Sequence, residues 1–120
     1  MPHLRLEYSD NIQSNISPSL FKNLISILNK AARVKTENCK ARAIKIKNFC
    51  IGSDNKKEGF VHLEINILKG RTEKNKNQIC QESLKMIKSY FQGIKGLDHI
   101  QFSLEIREMQ RANYLTSNNL

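Results

Sequence analysis

The chain repeats itself. Pro2-His3-Leu4-Arg5-Leu6 is matched by Val61-His62-Leu63-Glu64-Ile65, and each run precedes one helical stretch and one further strand-like stretch. Both runs alternate apolar and polar residues, the period of a half-buried strand. A strand-helix-strand order used twice leaves few packings open. Right-handed crossovers place both helices on one face of a single four-stranded sheet, an α+β fold of duplicated β-α-β units with a mixed sheet. Such a sheet is covered on one side only. The other face is expected to be partly apolar, and to be buried by association with further copies.

The pattern divides into halves at about residues 2–52 and 60–109, with a polar tail over 110–120, all within one domain of 120 residues. The first strand runs from His3 to Tyr8 and ends in Ser9-Asp10-Asn11. Ser17 and Pro18 form an N-cap and first-turn proline for a helix whose Leu20, Phe21, Leu24, Ile25, Leu28 and Ala32 share one face. A second strand is predicted over Ala41 to Ile51, before the polar turn Gly52 to Lys57. In the second half, Phe60 to Leu68 reads as a strand, Thr72 caps a helix beginning at Glu73, and Gly93 and Gly96 close it. Ile100 to Glu108 is the last strand, and Asn113 to Asn119 is expected to be less ordered unless it packs on a neighbouring subunit.

Composition narrows the class of protein. Twenty Lys and Arg against eleven Asp and Glu leave a net charge of +9, which favours anionic partners: nucleic acid, acidic membrane surfaces or polycarboxylates. Much of the excess is lysine, the usual residue of a solvated surface. There is no tryptophan, no aromatic-Arg interleaving for base stacking and no glycine-rich phosphate loop. An RNA- or polyanion-binding module is therefore the weakest of three readings. No run of about 18 apolar residues is present to span a membrane. The first residues lack a charged-then-apolar leader, so a cytoplasmic location is expected. Cys39, Cys50 and Cys80 are widely spaced and form no Cys-x-x-Cys pair, so no metal site is expected.

Pro2 is the first candidate for chemistry. Trimming of Met1, usual before proline, would leave a secondary amine titrating near about 8, lower still beside cations or in an apolar pocket. Such an amine is a candidate base; on the plain reading, Pro2 merely follows a start methionine. Arg71, in the loop after the third strand, is a candidate carboxylate anchor because its planar guanidinium offers two parallel hydrogen bonds. A cation just before a helix is electrostatically unfavourable, which argues for a functional reason. His3 and His62 occupy equivalent repeat positions and read as structural.

Met1-Pro2-His3 with its alternating strand, Ser9-Asp10-Asn11-Ile12, Phe60-Val61-His62-Leu63, Gly70-Arg71-Thr72 and Phe102-Ser103-Leu104-Glu105-Ile106 occur in one order. As a set, over roughly Pro2 to Met109, they resemble the 5-carboxymethyl-2-hydroxymuconate isomerase family of the tautomerase superfamily. The resemblance implies a homotrimer with active sites near subunit interfaces, no metal or cofactor, and Pro2 as general base and acid. The substrate it implies is a small anionic polycarboxylate with three carboxylates, an intermediate of homoprotocatechuate breakdown. The family pattern carries Arg-x-Arg on the second strand, where this chain reads Lys40-Ala41-Arg42. Lysine keeps the charge but loses the fork. Either Lys40 substitutes, Arg42 takes over, or a tautomerase-fold enzyme here acts on another enol or muconate.

Overall fold

The computed structural model describes residues 1–120. The elements are β1 (His3–Ser9), α1 (Pro18–Ala32), β2 (Lys40–Ile46), β3 (Glu58–Leu68), α2 (Glu73–Tyr90) and β4 (His99–Met109). Short 3-10 turns lie at Thr36–Asn38, Arg111–Asn113 and Ser117–Asn119. The sheet order is β2-β1-β3-β4. The outer pairs are parallel and the central β1–β3 pair is antiparallel, so the sheet is mixed as expected.

Local chemistry sets the helix starts where the caps predict. Ser17 Oγ accepts from Ser19 N–H at 3.2 Å ahead of Pro18, and Thr72 Oγ1 accepts from Asn75 N–H at 3.1 Å. Each cap satisfies a backbone donor that the first turn leaves without a partner. Leu20, Leu24, Leu28 and Ile27 of α1 and Ile79 and Ile87 of α2 then pack over Leu4, Leu6, Val61, Leu63, Ile65 and Ile67 of the sheet. Each such side chain contributes about 2 kcal/mol by leaving water. The duplication is exact to the residue in register. His3 lies opposite Lys40 as His62 lies opposite Ser103, and Arg5 of β1 faces its own repeat equivalent, Glu64 of β3. A pseudo-twofold axis therefore passes between Arg5 and Glu64.

The uncovered sheet face is partly apolar as expected, with Ile44, Ile46, Phe60, Leu68 and Met109 towards its margins, while its centre is polar. The centre carries His3, Arg5 and Glu7, then Arg42, then His62, Glu64 and Asn66, then Ser103, Glu105 and Arg107. Arg5–Glu7 at 3.2 Å and Arg107–Glu64 at 2.9 Å neutralise part of it. Two expectations are corrected. The second strand stops at Ile46 instead of Ile51, because its partner β1 ends at Ser9 and the last bond runs from Asp10 N–H to the Ile46 carbonyl. The tail is folded. Its turn at Arg111–Asn113 places Tyr114 Oη 2.9 Å from His3 Nε2.

Candidate active site

The register gathers one end of the sheet. The start of β1 lies beside the start of β2 (His3 opposite Lys40), beside the end of β3 (His3 opposite Asn66), and the end of β4 lies beside the end of β3 (Leu68 opposite Met109). Three connections therefore meet there: Cys39-Lys40, Lys69 to Thr72, and Gln110 to Tyr114. Pro2 is buried at this edge, and its carbonyl accepts from Lys40 N–H at 3.1 Å. Strand pairing thus holds the backbone at Pro2 before any side chain acts.

The chain's amine is on Met1, bonded to the Pro2 nitrogen. Burial holds this amine below its usual value of 8.0, and Arg71, Lys40 and Arg111 add to the effect while Cys39 opposes it. Burial raises the Cys39 thiol, which keeps it a neutral neighbour rather than a nucleophile. None of Lys40, Arg42, Arg71 and Arg111 is in an ion pair with a carboxylate. The end of the sheet where the chain begins is therefore rich in cations that no carboxylate contacts.

Each predicted residue has a definite place. Arg71 is half-buried just ahead of the Thr72 cap, and its Nε–H is buried without an acceptor. A buried guanidinium donor in this state is costly until an acceptor arrives. Lys40 is exposed, its Nζ 3.5 Å from the Asn38 carbonyl, too long for a strong bond. Arg42 lies beside His3. Its Nη2 donates to His3 Nδ1 at 3.2 Å. Arginine has no lone pair to offer, so His3 must be neutral with its proton on Nε2, and Nε2–H donates to Tyr114 Oη. Burial and then Arg42, Lys40 and the chain's amine push the His3 pKa down, in keeping with that neutral ring.

Arg111 and Tyr114 escaped the sequence reading. Their only signal was a basic and an aromatic residue in an otherwise polar tail. The larger cavities lie elsewhere: one of about 550 Å³ is lined by Lys88, Phe91, Ile94, Leu97 and Phe102, and one of about 680 Å³ lies between the helices at Ile27, Met86 and Tyr90. Neither reaches Pro2, Lys40 or Arg71. In the single chain the site is an open edge.

Comparison with known proteins places this arrangement. A structure of a 5-carboxymethyl-2-hydroxymuconate isomerase from Deinococcus radiodurans R1 superposes with a TM-score of 0.85 at 26% identity, over 97% of this chain and 88% of that one. A 5-carboxymethyl-2-hydroxymuconate delta-isomerase gives 0.75 at 16% identity, over 98% and 87%. A macrophage migration inhibitory factor-like protein from Entamoeba histolytica gives 0.69 at 16% identity, over 97% and 95%, a likeness of fold alone. No curated protein matches the sequence. The fold and its cationic edge define an isomerase of the tautomerase fold. The family model for 5-carboxymethyl-2-hydroxymuconate isomerase matches residues 2–120, and the chain belongs to that family.

Proposed function

We propose that the protein, with Met1 removed, is a cofactor-free isomerase that moves a proton in 5-carboxymethyl-2-hydroxymuconate, with the Pro2 amine as base and then acid. The observation that carries this reading is the gathering of unpaired cations, Arg71 and Lys40 foremost, around a chain start held in place by strand pairing. The unprotonated amine takes the proton of the substrate's hydroxyl. The electron pair shifts through the diene to a dienolate, and the ammonium returns the proton to a distant carbon, leaving a conjugated ketone. One group serves both steps, so its pKa must lie near the working pH, and burial with flanking cations moves an amine in that direction. Arg71 and Lys40 stabilise the carboxylates and the charge that develops on the dienolate oxygen.

The open edge also supports a homotrimer in which a neighbour walls the site. One of the similar folds is a symmetric trimer of a fused 4-OT. A second reading, action on another enol or muconate, rests on Lys40 standing where the family pattern has arginine. A point charge holds a carboxylate without fixing its plane. The test is an intact mass together with an ultraviolet assay on 5-carboxymethyl-2-hydroxymuconate. A mass lacking methionine with rapid ketonisation is the expected result. A processed protein that turns over only smaller enols would favour the second reading, and one inactive on all enols would overturn both.

A further inference from the structure

The C-terminal turn is built onto the site rather than trailing from it. After β4, the Asn113 N–H donates to the Gln110 carbonyl at 3.0 Å, closing the turn. Two contacts then fasten it from opposite sides. Arg111 Nε–H donates to the Lys69 carbonyl at 3.3 Å, and Tyr114 takes the Nε2–H of His3 at 2.9 Å, its ring edge-on to the imidazole at 5.9 Å. The Arg111 guanidinium lies over Gly70, whose φ of +128° is a conformation that other residues rarely adopt. A Cβ at that position would stand 3.7 Å from Arg111 Nη2.

Two guanidinium groups thus flank one short loop: Arg111 across Gly70, and Arg71 next in the chain with a buried donor lacking an acceptor. Neither has a carboxylate partner in the chain. Placing like charges together is unfavourable, and a bridging anion reverses the sign. A guanidinium does not deprotonate, so both remain donors at any working pH.

We propose that Arg111 is a further carboxylate anchor of the site, acting with Arg71 so that a ligand with three carboxylates is held better than one with two. Tyr114 is a positioning residue that clamps the turn carrying Arg111 onto His3. The proposal deepens the isomerase reading and rests on it for the identity of the ligand, but its test does not depend on turnover.

The probes are propane-1,2,3-tricarboxylate and glutarate, titrated calorimetrically into the full-length protein. The native protein is expected to prefer the tricarboxylate. Arg111→Gln is expected to weaken the tricarboxylate about tenfold, the scale of one charge-assisted hydrogen bond, and to change glutarate by less than about twofold. Arg111→Lys is expected to restore part of the loss. Tyr114→Phe is expected to reduce the same preference at an unchanged circular dichroism spectrum. Equal weakening of both probes in Arg111→Gln, or a native protein without preference, would overturn the proposal. Should Pro2 prove not to be the base while the tricarboxylate preference persists and depends on Arg111, the isomerase mechanism falls and the anchor stands.

Discussion

The two halves of the sheet are near-copies in backbone and opposites in charge. His3 and His62 occupy equivalent places about the pseudo-twofold axis, and each reaches across to its neighbouring parallel strand. His3 meets Arg42 at 3.2 Å; His62 meets Glu105 at 3.3 Å and shares a 2.6 Å hydrogen bond with Ser103. Arg42 and Glu105 are themselves equivalent in register, as are Lys40 and Ser103. The second half closes its charges on itself, since Arg107 also binds Glu105 at 3.3 Å and Glu64 at 2.9 Å. The first half pairs Arg5 with Glu7 but leaves Lys40 and Arg42 without a carboxylate. Duplication thus supplied two equal frames whose charges are closed to different degrees.

The largest expected effect comes at the feature the second half lacks. Processed Pro2→Ala is expected to lose about two to four orders of magnitude in kcat while sedimenting like the native protein; full activity would remove the amine from the mechanism. Arg71→Ala is expected to raise KM for the tricarboxylate substrate about tenfold or more, and less for a monocarboxylate enol. Equal rises would mean Arg71 is no anchor.

The pH profile sharpens the comparison further. A base must be unprotonated, so kcat/KM is expected to rise with pH and level off below about 8, the ordinary amine value. Arg71 disfavours a protonated Met1 amine; on the proposed mechanism it acts in the same sense on the Pro2 amine left after trimming, so in Arg71→Ala the acid limb is expected to move to higher pH. An unmoved limb would mean the titrating group lies elsewhere. The smallest effect belongs to the second half. His62 and then Arg107 hold the Glu105 carboxyl below its ordinary range. Its stabilisation is therefore present at neutral pH and lost as pH falls through that lowered value. Glu105→Gln is expected to lower Tm slightly at neutral pH, to converge with the native protein in acid, and to leave kcat/KM unchanged.

Much of the frame was legible because its causes are local. Ser17-Pro18 and Thr72 start helices through bonds to residues two or three positions away, and the alternation at Leu4 and Leu63 follows from strand geometry. Pro2, Lys40 and Arg71 stand out by residue type, and strand register brings them to one edge of the sheet. What escaped depends on distant partners. The end of the second strand is set by where β1 stops. The polar centre of the open face emerges only when four strands are aligned. Tyr114 is 111 residues from His3, and nothing near either residue announces the other. Arg42 shares a strand face with Lys40 and stays a candidate ligand, and its hydrogen bond to His3, 39 residues away in the chain, is invisible to strand alternation.

The burial of Pro2 at the end of a central strand has a practical consequence on the proposed mechanism. The working atom is a main-chain nitrogen, so one additional peptide bond in front of it turns an amine into an amide and abolishes its basicity. A leading affinity tag, an acyl group or a methionine left in place would each silence the enzyme, while every side chain in the molecule remained correct. A culture expressing flawless sequence could therefore yield a well-folded, inert protein, and its activity would be switched on by an aminopeptidase.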